Sequence, residues 1–101
     1  MTITIYVTFP NSAEAKKIIN SLLKKRLVAC ANFWPIKSAY WWQAKIQNDD
    51  EIAAFLKTKK ENWEKVKAEI KKMHSDQVPC IEKITTEANK EYETWIKDIT
   101  K

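Results

Sequence analysis

The opening segment of the chain alternates between apolar and polar side chains. Its apolar positions, separated by two threonines and a tyrosine, are Ile3, Ile5, Val7 and Phe9. Because successive side chains of a strand point to opposite faces, this pattern predicts a half-buried strand over residues 2–9. Pro10 ends the strand, and Asn11 followed by Glu14 predicts the capped start of an amphipathic helix that runs to about residue 25.

The segment from residue 27 to residue 46 is long, apolar and β-prone, with Pro35 near its middle. Because proline has no N–H to donate to a neighbouring strand, we expect a bend or a bulge at this position. The polar run 47–50 predicts a turn, and residues 52–58 predict the returning strand of a hairpin.

A helix, a strand and a second helix are predicted in the remainder of the chain. Thr58 followed by Glu61 predicts a second capping box, and residues 74–77 end the helix that follows it. Residues 78–85 predict a fourth strand, and Asn89 predicts the cap of a last helix. The expected inner faces of the two helices are Trp63, Val66, Ile70 and Met73 for the first, and Tyr92, Trp95, Ile96 and Ile99 for the last.

The order of these elements is β-α-β-β-α-β-α. It predicts a single α+β domain over residues 1–101 with a ferredoxin-like βαββαβ arrangement, in which a four-stranded antiparallel sheet carries helices on one face and a C-terminal helix follows. The other face of such a sheet is left bare, and a long hairpin projects past its neighbours. Bare faces and projecting strands that carry aromatic side chains favour association between copies of a chain.

Three adjacent aromatic residues lie in the predicted hairpin: Tyr40, Trp41 and Trp42. Each has a large apolar surface, and alternation along a strand would point them to both faces. A core of this size does not accommodate all three, so we expect them at an interface between subunits rather than on a platform that stacks bases or a ligand.

The chain contains no glycine, which argues against several classes of active site. Phosphate-cradling loops and the nucleophile elbow need glycine for close backbone approach or a strained turn. No spacing supports a catalytic triad or a tuned carboxylate pair, so we do not expect an enzyme.

The net charge of +5 raises the question of nucleic acid. Between residues 59 and 72, however, lysines alternate with glutamates in the pattern of a solvated helix face, and Arg26 is the chain's one arginine. We therefore expect no nucleic-acid partner.

No long apolar segment indicates a membrane span, and no leader-like segment opens the sequence. We therefore expect a cytoplasmic protein in which Cys30 and Cys80 are free thiols.

Six short segments, taken in order, resemble the CutA family of divalent-cation tolerance proteins. They are residues 6–10, 22–32, 35–42, 56–58, 74–79, and Tyr92 with Trp95. The resemblance covers nearly the whole chain and implies a ferredoxin-like subunit in a compact homotrimer, whose long hairpin strands cross subunit boundaries. It also implies a cytosolic role in tolerance of divalent metal ions, mainly copper, and a shape similar to that of PII signalling trimers.

The sequence departs from the family pattern at informative positions. The glycine usual after the double aromatic is Ala44, and Cys80 replaces the residue often found after Val-Pro. Some bacterial relatives are assigned copper ligands, namely a cysteine on the first strand and two adjacent histidines before the fourth. The matching positions here are Val7, Met73 and His74, which leaves one of the three ligands.

Two sets of residues are candidates for a site. Cys30, Asn32 and Lys57 lie on the predicted second and third strands and could form an inter-subunit pocket for a small ligand, in which Glu51 or Glu82 would pair with Lys57. Cys30, Cys80 and His74 are the weaker candidates for a metal. No cofactor is required, but two thiolates within about 4 Å of each other would favour Cu(I). The alternative interpretation makes the cysteines core residues, Lys57 an ordinary strand-end lysine and His74 a helix-end group.

Two rival functions use the same fold. An RNA-binding ferredoxin-like module needs aromatic side chains on the central strands, for which Tyr6 and Phe55 are the candidates. A small-molecule hydrolase resembling acylphosphatase needs a glycine-containing anion loop and a catalytic arginine, and only Arg26 is available here.

Overall fold

The computed structural model describes residues 1–101 and contains four strands, three α-helices and one short 3₁₀ turn at Lys60–Asn62. The elements in chain order are β1 (Thr2–Phe9), α1 (Ser12–Lys24), β2 (Cys30–Trp42), β3 (Lys45–Lys59), α2 (Trp63–Met73), β4 (Ile81–Thr86) and α3 (Lys90–Ile99). The strands form one antiparallel sheet in the order β2-β3-β1-β4. This arrangement confirms the predicted α+β, ferredoxin-like fold.

The core lies between one face of the sheet and the helices α1 and α2. Its members from the sheet include all four apolar residues of β1, and its members from the helices are Ala15, Ile18, Ile19, Leu22, Val66 and Ile70. Burial of these side chains is the main source of stability. The third helix lies on the opposite face, where Thr2 of β1 is buried and donates a hydrogen bond to the Glu93 carboxylate (3.2 Å).

The predicted cap of α1 is confirmed. The side chain of Asn11 accepts a hydrogen bond from the backbone N–H of Glu14 at 2.8 Å. The glutamate side chain does not return to the cap. It accepts the backbone N–H of Ser75 instead, which ties the start of α1 to the loop after α2.

The predicted hairpin turn at residues 47–50 is wrong. The turn is the two-residue loop Gln43–Ala44, and Trp42 pairs with Lys45 directly across it. Both turn residues have left-handed backbone conformations, with φ of 52° and 62°, as a type I′ turn requires. The polar run belongs to β3 because its side chains have cross-strand partners; Lys37, for example, forms an ion pair with Asp50 (2.6 Å).

Three further predictions need correction. Thr58 does not cap α2: it lies in β3 and donates a hydrogen bond to the carbonyl of Leu27 (2.6 Å). Pro35 causes no bulge, since it pairs with Ile52 in an uninterrupted register; its missing N–H is tolerated on an edge strand. The fourth strand begins at Ile81 rather than at residue 78.

The last helix also differs in part from the prediction. Asn89 occupies the cap position, but its side chain bonds to Glu91 rather than to the helix backbone. Ile96 is buried as expected, whereas Trp95 is 44% exposed. The helix covers only one end of its sheet face, so part of that face stays open.

The long hairpin makes the molecule elongated. Its extents are 45 × 23 × 21 Å, and its radius of gyration is 14.0 Å, against roughly 13 Å for a compact domain of this length. The segment 36–51 lies beyond the end of β1, which pairs with β3 only up to Ile52. None of the helices is long and apolar enough to cross a membrane.

The hairpin turn generates a stability prediction. Ala44 has a Cβ in the left-handed region, which costs about 1 kcal/mol relative to glycine. We expect Ala44→Gly to raise the free energy of unfolding by about 1 kcal/mol in thermal or denaturant unfolding. Ala39→Gly, in the regular part of the same hairpin, should lower it by about 0.5–1 kcal/mol, because glycine loses more backbone entropy there. Equal effects of the two variants would contradict this account of the turn.

Candidate functional site

The strand register places Cys30 and Lys57 directly opposite each other. Cys30 on β2 pairs with Lys57 on β3, which pairs in turn with Thr4 on β1. Residues paired in this way share a face of the sheet, and this face is the one that carries α3. These paired residues form a row that runs across the strands. The row brings the Cys30 thiol and the Lys57 ammonium group side by side, and both residues are half-buried.

Tyr92 of α3 covers this row. Its ring centre lies 5.8 Å from the Lys57 ammonium group, and the ring stacks on Trp95 at 5.7 Å between centroids. Burial raises the pKa of Tyr92, and a hydrogen bond with the Cys30 thiol raises it further. The tyrosine therefore stays protonated at neutral pH. Sequence reasoning did not connect Tyr92 with this site, because only the packing of α3 across the sheet brings it there.

Asn32 lies on the same face, one row further along the sheet. Its side-chain oxygen is 4.0 Å from the Cys30 sulfur, within reach of a weak thiol hydrogen bond. Its row continues through Phe55 and Tyr6 to Glu82. The structure thus places Cys30, Asn32 and Lys57 in two neighbouring rows of one sheet face, where Asn32 is exposed.

Aromatic rings form a stripe across this open face. Phe55 contacts Tyr6 on one side (5.9 Å between ring centres) and Trp34 on the other (5.1 Å), both edge to face. Such pairs contribute about 0.5–1.5 kcal/mol each beyond the area they bury. Tyr6 and Phe55 do lie on the two central strands, but the same row ends in the carboxylate of Glu82, which disfavours the RNA phosphate backbone.

Neither predicted carboxylate pairs with Lys57. Glu82 lies two strands away in the next row, and Glu51 lies six residues along the same strand. No ion pair of the chain includes Lys57. Lys57 is therefore a half-buried residue whose ammonium group lies near the Tyr92 ring and forms no ion pair.

Cys80 lies in a different environment. It contributes to a cleft of about 890 Å³ between the hairpin and the loop before β4, whose walls also include Tyr6, Tyr40, Trp42 and Asp76. Burial, and then the charge of Glu82, raise the pKa of the Cys80 thiol. The thiolate that a soft metal prefers is thus disfavoured at Cys80.

His74 is held by the fold. Its buried ring stacks on Phe9, with 5.6 Å between centroids, and its Nε2 lies 2.7 Å from the carbonyl oxygen of Thr8. The backbone N–H of Asp76 lies 3.1 Å from Nδ1 and donates to it. Both ring nitrogens are therefore occupied, which favours a structural role for His74.

The candidate metal residues do not converge. Cys30 lies on the β2 edge of the sheet, and Cys80 lies four residues further along at the β4 edge. Three strand spacings and four residues separate them by about 20 Å. No cluster of three or more His, Cys, Asp or Glu side chains could hold a metal ion. Within one chain, the two cysteines do not form the Cu(I) site considered above.

The three adjacent aromatics of β2 split between the faces of the hairpin as alternation requires. Tyr40 and Trp42 line the cleft, whereas Trp41 points to the other side and is 71% exposed. A hydrogen bond to the Asp49 carboxylate raises the pKa of Tyr40 to about 12. Opposite Trp41 in the register is Ile46, which is 62% exposed. This pair forms an exposed apolar patch near the hairpin tip.

Comparisons with known proteins place the fold and sequence in one family. Over residues 3–99, the chain matches the family described as CutA1 divalent ion tolerance protein. The divalent-cation tolerance protein CutA of Pyrococcus horikoshii is 42% identical over 100 residues, covering 98% of each protein. The chain belongs to the CutA family.

Solved CutA structures agree with this assignment. The structure of the periplasmic divalent cation tolerance protein CutA from Archaeoglobus fulgidus is similar with a TM-score of 0.97 and 42% identity, and the match covers 100% of both chains. The divalent cation tolerance protein Cut A1 from Thermus thermophilus is similar with a TM-score of 0.95 and 32% identity, again over 100% of both chains.

The copper ligands assigned in some CutA relatives do not fit this chain. Val7, at the position of the strand cysteine, is a fully buried core residue with no donor atom. Met73 packs against the same core, and His74 has both ring nitrogens engaged. The donor set therefore lacks the thiolate and the free imidazoles that a copper site of this kind needs.

Proposed function

We propose that this chain acts as a cytosolic homotrimer in divalent-cation tolerance, with copper as the principal metal, and that it acts by binding a metal, a ligand or a partner rather than by catalysis. The observation that carries the proposal is membership of the CutA family. The description of the family names tolerance of divalent ions and no chemical reaction. Cys30 and Cys80 are free thiols, as is usual in a reducing compartment.

The hairpin supports the assembly. Residues 36–51 form a two-stranded ribbon with no third strand beside it. Such ribbons are at best marginally stable alone in water, and this one exposes Trp41 and Ile46. A second copy that covers the ribbon would remove the exposed apolar surface from water. The total accessible surface is 6487 Å², against roughly 5900 Å² for a monomer of this mass, which fits a subunit rather than a monomer.

The two free edges of the sheet support assembly of the subunits into a closed ring. One edge is the 13-residue strand β2 and the other is the six-residue strand β4. If the β2 edge of one copy pairs with the β4 edge of the next, the contact joins unlike surfaces, and such a heterologous contact forms a ring when the rotation between copies closes. A trimer is the smallest ring of this kind, and it leaves no sheet edge open to aggregation.

A non-catalytic role fits the polar groups of the chain. Arg26, on which an acylphosphatase-like reaction would depend, is exposed beyond the end of α1 in a left-handed conformation. No glycine loop accompanies it to bind an acyl phosphate. The best polar cluster, at Cys30, Asn32 and Lys57, has groups for binding but no paired general acid and base.

Assembly predicts a definite mass in solution. We expect sedimentation or light scattering at micromolar concentration to give three times 11.9 kDa, unchanged by reductant. Replacing both Trp41 and Ile46 by serine should shift the species toward lower mass, because it removes the apolar patch of the ribbon. Leu23→Ser, which changes an exposed apolar residue on α1, is the matched control and should leave the trimer intact. A monodisperse wild-type monomer would contradict the assembly.

Metal binding predicts a difference between the two cysteines. In a competition titration with Cu(I), we expect Cys30→Ser to weaken binding and Cys80→Ser to leave it unchanged, because the raised pKa of Cys80 keeps its thiol protonated. His74→Ala should also bind Cu(I) and Cu(II) as the wild type does, although it should unfold at lower temperature. If the wild type binds no copper, or if His74→Ala abolishes binding, copper binding as proposed here is wrong.

A further inference from the structure

The positive charge of the chain is concentrated on one helix. Of the 18 cationic and 13 acidic side chains, five cations but only one carboxylate lie in residues 11–26, which contain α1 and the turn after it. This leaves 13 cations and 12 acids for the rest of the chain, which is therefore almost neutral. The net charge of +5 comes almost entirely from this segment.

The lysines of α1 lie on the side of the helix that faces away from the core. The residues that α1 buries are Ala15, Ile18, Ile19 and Leu22. Six exposed residues on the opposite side form the basic stripe: Ala13, Lys16, Lys17, Asn20, Leu23 and Lys24. At 3.6 residues per turn, these six positions fall within roughly a third of the helix circumference. None of the three lysines forms an ion pair.

Two carboxylates on or beside α1 are engaged elsewhere. Glu14 is directed to the loop after α2, where it accepts a hydrogen bond from the backbone N–H of Ser75 (3.0 Å). Glu69 of α2 forms an ion pair with Lys25 at 2.7 Å, and the hydrogen bond of this pair lowers the pKa of Glu69. Neither carboxylate pairs with a lysine of the basic stripe, so the stripe keeps a positive potential.

The basic stripe lies apart from the surfaces that are suited to contacts between copies. Helices α1 and α2 cover the face of the sheet that carries the core, whereas the apolar patch of the hairpin is at its tip. Association through the hairpin and the sheet edges therefore leaves the stripe exposed to a further partner.

The composition of the stripe favours one kind of anionic partner. Its cations are lysines, which lack the planar fork with which arginine binds phosphates and bases in pairs. It contains no aromatic ring on which a nucleic-acid base could stack. Leu23 lies between the lysines and is 37% exposed. An apolar side chain among lysines on one helix face is typical of helices that lie on anionic lipid, where the lysine stems also cover apolar surface.

We infer that the basic stripe of α1 docks the protein on the anionic surface of a lipid bilayer. Lys16, Lys17 and Lys24 contact the lipid phosphates, and Leu23 enters the headgroup region. The contact is peripheral, and all of its residues come from one chain. The inference therefore goes beyond the proposed function: a trimer that binds no anionic vesicles would overturn this inference alone.

The test measures co-sedimentation of the full chain with lipid vesicles. The probe vesicles contain phosphatidylcholine and phosphatidylglycerol in equal parts, and the control vesicles contain phosphatidylcholine alone. We expect at least about tenfold tighter binding to the anionic vesicles at low ionic strength. Added salt should weaken it, because the screening length falls from about 10 Å at 0.1 M to about 3 Å at 1 M. No binding to the anionic vesicles, equal binding to both kinds, or binding that salt does not weaken would overturn the inference.

Two variants of equal charge separate the stripe from general attraction. The stripe variant combines Lys16→Gln, Lys17→Gln and Lys24→Gln. The control variant combines changes at three lysines that are also exposed and form no ion pair, but lie on α2, β4 and α3: Lys71→Gln, Lys83→Gln and Lys90→Gln. We expect the stripe variant to lose about tenfold or more in vesicle affinity and the control variant less than about threefold. Equal losses would overturn the inference.

The choice of a bilayer over nucleic acid is tested separately. Leu23→Ser keeps every charge and should weaken vesicle binding about threefold, because it removes the apolar contact with the headgroup region. Unchanged binding of this variant would overturn the bilayer as the partner. A duplex DNA fragment added as a competitor provides the second readout, which needs no variant to fold. If the DNA binds the wild type more tightly than the anionic vesicles do at the same salt concentration, the stripe is a nucleic-acid surface and the inference is wrong.

Discussion

The pairing of β2 with β3 is the constraint on which the rest of the structure depends. Thirteen residue pairs join the two strands, from Cys30–Lys57 at the base to Trp42–Lys45 at the tip. The base half lies within the sheet and rests on the core of α1 and α2. The tip half has no third strand, so the backbone groups of β2 that point away from β3 have no strand partner within the chain, and Trp41 is exposed. One register thus produces both a stable subunit and a surface suited to another copy.

The same register determines what the open sheet face can do. It places Lys57 opposite Cys30, and it places Asn32 opposite Phe55. Helix α3 brings Tyr92 over the Cys30–Lys57 pair. Across the sheet, the register separates Cys30 from Cys80 by the full width of four strands. The face therefore does not bring the two cysteine thiols together to hold a metal. Two of the three copper ligands assigned in some CutA relatives are absent from this chain, where Val7 and Met73 stand at their positions.

Much of the fold could be predicted from local patterns, and the misses have physical causes. Alternation identified β1, and the Asn11 cap was correct because it needs only residues close in sequence. The hairpin turn was missed because Gln43 and Ala44 adopt left-handed conformations without glycine, while the polar run after them gains its strand partners from across the hairpin. In the candidate site, the proximity of Cys30, Asn32 and Lys57 could be predicted because all three lie on adjacent strands. Tyr92 was not, since its contact with Lys57 depends on how α3 crosses the sheet.

The central claim is that the outer edge of the ribbon is covered by another copy of the chain. Hydrogen exchange measured amide by amide over residues 36–42 tests it most directly, because half of the β2 amides point away from β3 and have no partner within the chain. If copies associate through this edge, these outward amides exchange slowly, at rates comparable to those that bond to β3. If they exchange as fast as amides of an unprotected chain while the inward ones are slow, the edge is open to water and the account is contradicted.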